Sequence, residues 1–206
     1  MQHRKDRRAL QGKRVKKILV VPRHAIEGCF EKPTWLGANF KNMAGVAIIS
    51  IFSCVKDQLI TGEFEKCLKA AGCIDTLSLL FGDITNSEAV ASNDKEISER
   101  LFSVGQARLI IKFLDALKTR PIRVLLVHCD AGVSRSGAVG IFACRYLGLN
   151  EREFRAENDN IAPNTHVYNT LYVESGLKKE YERFWTTDAF KNIPADPDIG
   201  GRMFTW

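Results

Sequence analysis

No stretch of the 206-residue chain is long and apolar enough to cross a bilayer. The longest run without a charged side chain, residues 42–55, has 14 residues, whereas a spanning helix needs about 20. Behind the basic N-terminus only residues 18–22 form an apolar stretch, too short for the hydrophobic region of a secretory signal. The six cysteines include no C-x-x-C pair, and no histidine stands at zinc-ligand spacing from them, which argues against a structural zinc site. An even cysteine count would mean three disulfides only in a secreted protein. There is no internal repeat, and no low-complexity segment beyond a basic tail. With 45% apolar and 26% charged residues, wholesale disorder, a collagen repeat and a coiled coil are excluded. What remains is a soluble, cytoplasmic chain of one domain with tails, long enough to bury a sizeable core.

The net charge of +6 is unevenly placed. Residues 1–17 carry eight Lys/Arg and a single acid, Asp6, leaving 22 basic and 23 acidic residues in the rest of the chain. The high isoelectric point therefore describes a solvated, disordered tail and not a basic binding face. Such an arm could touch a nucleic acid or an acidic partner; the remainder is near neutral. The division expected is a tail over 1–17, a globular domain over 18–185 and an irregular extension over 186–206, where Pro194, Pro197 and Gly200-Gly201 interrupt any regular element.

Within the domain, residues 18–21 suggest a short strand, and residues 46–52 (V-A-I-I-S-I-F) a buried one. Residues 23–45 and 84–94 look like loops, 63–71 like a short helix and 74–81 like a further strand. Ile97, Leu101, Val104, Ala107, Ile111, Leu114 and Leu117 recur every three or four residues, which predicts a helix over 97–118 that Pro121 prevents from continuing. The compact strand 123–127 (R-V-L-L-V) follows, then helices over 136–147, 151–158 and 165–185. Strands alternating with helices predict an α/β fold, a mostly parallel central sheet flanked by helices on both faces.

The chemistry concentrates in His128-Cys129-Asp130-Ala131-Gly132-Val133-Ser134-Arg135-Ser136, between a strand and a helix. Backbone N–H groups of a tight loop before a helix N-terminus form an anion-binding nest. Gly132 lets that backbone turn. A cysteine beside the positive end of a helix has its thiolate favoured. An arginine at the helix base can fold back and grip two phosphate oxygens in a fork, which lysine cannot. Among the other cysteines, Cys54 and Cys144 sit in apolar stretches, where buried thiols behave as small hydrophobes. Either could act as a resolving thiol for an oxidised Cys129. His24 and His166 have no partner at any ligand spacing and are expected to be surface or satisfied histidines.

The H-C-D-A-G-V-S-R-S segment resembles the His-Cys-x5-Arg-Ser/Thr signature of the cysteine-dependent protein phosphatases, and its A-G-x-S-R-S core is most similar to the dual-specificity subgroup. The resemblance covers roughly residues 46–180, including Ile161-Ala162-Pro163-Asn164, similar to that family's Pro-Asn segment. It implies a hydrolase acting on phosphorylated protein, on phosphotyrosine and also phosphoserine or phosphothreonine. Cys129 would be the nucleophile forming a cysteinyl-phosphate. Arg135 would stabilise the phosphoryl charge, and the N–H groups of Asp130, Ala131, Gly132, Val133, Ser134 and Arg135 would complete the cradle. Ser136 would donate to the thiolate, and His128 would support the loop from beneath. No metal or other cofactor is called for, because arginine and amides supply the positive field.

The general acid in that family is an aspartate on an upstream loop. Asp83, at a strand exit, and Asp94, nearer in sequence to Cys129, both qualify; strand-exit placement favours Asp83, since loop length varies easily. Asn164 would tie a loop down near the site. The Trp-Pro-Asp loop of tyrosine-only phosphatases is absent, and the loop between Cys129 and Arg135 holds no lysine, unlike phosphoinositide phosphatases. Alternatives are an RNA 5′-phosphatase using the basic arm, a phospho-ligand-binding module without turnover, and a rhodanese-like sulfur carrier.

Overall fold

The computed structural model describes residues 15–26, 44–54, 68–69, 72–73, 75–85, 87–88, 91, 95 and 99–177. Four strands, β1 (Lys17–Pro22), β2 (Val46–Phe52), β3 (Asp75–Leu80) and β4 (Val124–Cys129), form one sheet in the order β1-β4-β2-β3. Every neighbouring pair is parallel, with Lys17 opposite Val124, Val46 opposite Val124 and Ala47 opposite Asp75. Strands buried on both faces are apolar along most of their length, as β2 and β4 are, and the two polar residues they carry, Ser50 and His128, meet each other.

The period of two divides these side chains between two cores. Ile18, Ala47, Ile49, Ile51, Leu125 and Val127 face a large cluster under four helices: α1 (Val104–Leu117), α2 (Arg135–Tyr146), α3 (Glu151–Glu157) and α4 (Thr165–Ser175). Val21, Ile48 and Leu126 face a smaller cluster with Ile26 and Leu68, both in helical conformation. The α/β architecture and parallel sheet follow the sequence expectation, with helical cover on both faces. Among the described residues that cover is far heavier on one side.

Several boundaries differ from those the periodicity predicted. Helix α1 begins at Val104, not at Ile97, because Ser103 and Gln106 form a reciprocal cap. Ser103 Oγ accepts from the Gln106 N–H at 3.2 Å, and Gln106 Oε1 accepts from the Ser103 N–H at 2.9 Å. Its buried face is Ala107, Ile110, Leu114 and Leu117, while Val104, counted as apolar-face, is 46% exposed. Residues 23–26, 87–88 and 91 are helical where loops were expected. Helix α4 stops at Ser175, with Gly176 left-handed at φ 74°. Strand β1 begins at Lys17, and Val15 before it is buried, so the fold reaches into the stretch taken as tail. Of the helix expected over 63–71, residues 68–69 are helical and the others lie outside the described residues.

β1 is an edge strand in the sheet order, and its outer polar groups are satisfied by one side chain. Asn158, after α3, accepts from the Val20 N–H at 2.6 Å and donates to the Ile18 carbonyl at 3.1 Å. Helix α2 lies close against β1 beneath Gly140, where an added Cβ would come within 2.6 Å of Val20 Cγ2 and 3.2 Å of the Phe154 ring. This close approach carries the Cys129-to-α2 loop at the carboxyl end of the parallel sheet, where α/β sheets present their sites.

Candidate active site

Cys129 is the last residue of β4 and is 1% exposed. Its Sγ lies 3.1 Å from the hydroxyl of Ser136 in the first turn of α2, and both groups are buried. Between them the chain makes a tight loop that depends on Gly132 at φ 72°. A Cβ there would stand 2.4 Å from Pro22 N and 2.6 Å from Val21 C, so the loop packs directly onto the end of β1.

The loop is fastened by its carbonyls. Those of Asp130, Val133 and Ser134 accept from the N–H groups of Arg23, Ala162 and Asn164 at 3.2, 3.3 and 3.2 Å. The first N–H groups of α2 have no intrahelical acceptor. Ser134 at the N-cap gives them no side-chain bond, because its hydroxyl donates instead to Asp83 Oδ1 at 2.7 Å. An uncapped helix start beside a thiol is electropositive ground for an anion.

Arg135 is 4% exposed. Its Nη1 donates to the Phe81 carbonyl at 3.0 Å and to Ser53 Oγ at 2.8 Å, and its Nη2 donates to Asp130 Oδ2 at 2.7 Å. Nε, also buried, has no hydrogen-bond partner among the described residues. A buried N–H of a fixed cation without an acceptor is costly unless an anion supplies one. Here it belongs to the guanidinium held by the Phe81 carbonyl, Ser53 and Asp130.

Asp83 stands just past β3. Its Oδ1 accepts from Ser134 Oγ and, at 2.8 Å, from Asn164 Nδ2. Asn164 also caps α4 by accepting from the Val167 N–H at 3.0 Å, so one side chain ties the Asp83 loop to a helix start. The strand-exit aspartate therefore reaches the loop that starts at Cys129. Asp94 lies outside the described residues.

His128 sits behind the loop, 1% exposed, with Nε2 2.8 Å from Ser50 Oγ on β2 and its ring edge-on to Phe52. Burial pushes the imidazole down to about 4; the nearby Arg23 adds to the fall, and Asp130 opposes it. The ring is therefore neutral at physiological pH.

The remaining cysteines divide differently from the expectation. Cys144 is buried in α2, and burial, with Glu151 adding, pushes its thiol up to about 11. Cys54, taken as a buried hydrophobe, is exposed: β2 ends at Phe52, and the chain has left the sheet two residues on. His24 is exposed, and His166 Nε2 lies 2.8 Å from the Phe102 carbonyl.

Two participants were not legible in the sequence. Arg23 follows β1, and its Nη2 donates to Asp130 Oδ1; Ser53 follows β2, and its hydroxyl donates to Asp130 Oδ2. Both stand at strand ends in segments without a motif, and only the parallel register brings them to the loop. Among the described residues no group of three or more His, Cys, Asp or Glu is placed to hold a metal ion, and no helix is long and apolar enough to cross a membrane.

No family model and no curated protein matches this chain. A solved structure, that of Tk-PTP in the active form, aligns with 82% of this chain and 92% of its own at 20% identity and a TM-score of 0.43. A likeness of that size carries no inference about chemistry, which rests on the site itself.

Proposed function

We propose that the protein is a cysteine-dependent phosphatase that hydrolyses phosphotyrosine, and further phosphoserine and phosphothreonine, in protein substrates. The observation that carries this reading is the pairing of Cys129 and Ser136 at 3.1 Å with a buried Arg135 whose Nε has no acceptor among the described residues, across one loop at a helix N-terminus. Thiol, hydroxyl, guanidinium and uncapped helix start share one ligand chemistry, that of a tetrahedral oxyanion.

In this mechanism the Cys129 thiolate attacks phosphorus, and the bond to the leaving oxygen breaks as the cysteinyl-phosphate forms. Asp83 gives its proton to that oxygen. It then takes a proton from the water that attacks the intermediate, releasing phosphate and the thiolate. Arg135 and the N–H groups of residues 130–135 hold the equatorial oxygens, where charge stabilisation is the main task. Ser136 donates to the sulfur and makes it a better leaving group in the second step.

Hydrolysis of para-nitrophenyl phosphate with chelator present tests the reading. Wild type should turn over, and Cys129→Ser should not. Asp83→Asn should lose more on a phosphoalkyl substrate, whose leaving group needs the proton, than on para-nitrophenyl phosphate. Absence of turnover in the wild type, with tungstate still bound, would replace the enzyme by a phospho-ligand-binding module.

A further inference from the structure

One carboxylate ties the site together, and no role of the backbone cradle accounts for it. Asp130, directly after Cys129, takes Arg135 Nη2 at 2.7 Å and the Ser53 hydroxyl on Oδ2, and Arg23 Nη2 on Oδ1. Its carbonyl also accepts from the Arg23 N–H at 3.2 Å. Burial pushes the carboxyl up, but the hydrogen bonds from Ser53, Arg135 and Arg23 outweigh it and hold Asp130 well below the usual carboxylate range. Ser53 is itself fixed, with its carbonyl accepting from Arg100 Nη2 at 3.1 Å and its hydroxyl accepting from Arg135 Nη1 at 2.8 Å.

We propose that the Asp130 side chain is a positioning residue that orients Arg135 for the phosphoryl group by bracing it against Arg23 and Ser53. The inference rests on the phosphatase reading only for its kinetic arm. Two guanidinium groups converge on one carboxylate, and without it they would repel across a partly buried space where screening is weak. With it, Arg135 is pinned along its Nη1 and Nη2 side by three acceptors, which leaves the Nε hydrogen and the second Nη2 hydrogen as donors for a ligand. A cation fixed in this way meets a developing oxyanion without reorganising, which is the condition under which such donors are most effective. Arg23 lies 107 residues from Asp130 in the chain and supports Arg135 only through it, so that support should vanish when Asp130 is gone.

The test compares Asp130→Ala, Asp130→Asn, Arg23→Ala and the doubles of Arg23→Ala with each Asp130 variant. All are measured well below their melting temperatures, for kcat on para-nitrophenyl phosphate and, in the Cys129→Ser background, for tungstate affinity by calorimetry. Removing the brace should lower kcat by about 100-fold in Asp130→Ala, the scale of losing one oriented oxyanion donor. The amide of Asp130→Asn keeps an oxygen acceptor and should recover part of that loss. Arg23→Ala should cost activity in the wild-type background and nothing more in the Asp130→Ala background, because the two act as one unit. A side chain that only held the loop together would lower stability without making those losses merge. If Asp130→Ala does not fold, Asp130→Asn with Arg23→Ala supplies the same cycle. Losses that multiply in the double variants, or kcat within about twofold of wild type in Asp130→Ala, would overturn the brace. Should the wild type turn over no substrate, the phosphatase reading fails and tungstate decides: weaker binding in the Asp130 variants supports the brace, and unchanged binding overturns it.

Discussion

Ser136 shows how much a single hydroxyl can be asked to do. At 3.1 Å from Cys129 Sγ and fully buried, it is the one side chain hydrogen-bonded to the sulfur among the described residues. Its donation would stabilise a thiolate, which matters most when sulfur must leave phosphorus. We expect Ser136→Ala to slow the second step more than the first, by about 10- to 100-fold on the scale of a positioned proton donor. Rapid-quench measurement should then show a burst of leaving group and an accumulating cysteinyl-phosphate. A uniform loss in both steps would place Ser136 in loop architecture instead. His128 belongs to the same scale: buried and neutral, it lies 2.8 Å from Ser50 Oγ and packs edge-on against Phe52.

At the scale of the element, the loop between β4 and α2 is shaped by contacts no motif describes. Gly132→Ala would place a methyl group within 2.4 Å of the Pro22 backbone in a left-handed conformation, and both must be relieved by moving the loop off β1. The expected outcome is loss of tungstate binding together with about 1–3 kcal/mol of stability, read by calorimetry and by denaturant unfolding. The edge of β1 is similarly dependent on Asn158. Asn158→Ala removes the acceptor for the Val20 N–H and the donor to the Ile18 carbonyl, leaving a strand edge under α3 unsatisfied. It should cost about 1–3 kcal/mol in urea unfolding, with turnover of the folded protein nearly unchanged, because the defect lies away from the loop. The helix starts show what local sequence can and cannot convey. Ser103-Val104-Gly105-Gln106 carries the cap that begins α1, a signal that was legible but outweighed by the longer apolar period starting at Ile97. Asn164 heads α4, yet its second bond, to Asp83, depends on where two distant loops meet.

For the whole molecule, the buried histidine couples folding to pH. His128 is about 4 in the folded protein and near 6.5 in an unfolded chain, so below pH 6.5 the unfolded state binds a proton that the folded state refuses. Stability is therefore intact above pH 6.5 and is lost as pH falls toward 4, to a total of about 3 kcal/mol from this group. Asp130, held low, adds its own loss only below the ordinary carboxylate range. Melting temperatures recorded from pH 7 to pH 4 should fall, and His128→Gln should flatten the slope in that window. An unchanged slope would assign the acid sensitivity to other groups.

The strand sequences determined most of the architecture. The mostly apolar runs at β2 and β4 require burial on both faces, that burial fits parallel strands with helical cover, and the nine residues from His128 to Ser136 place thiol, turn and guanidinium by covalent proximity alone. Those relations span a few residues, so composition and period reveal them. The tertiary structure alone brought Arg23 and Ser53 to the site, whereas Asp83 and Asn164 were expected there from the resemblance and the fold decided which atoms they meet. Arg23, Ser53, Asp83 and Asn164 lie at the ends of different elements, and their separations from the loop are set by the order β1-β4-β2-β3 and by the packing of α2 and α4, neither of which leaves a local mark. The same holds for Cys54, whose exposure follows from where β2 stops and not from the apolar residues before it. Local sequence fixes what a segment can do, and only the fold, by summing many weak packing terms over the whole chain, fixes what it meets.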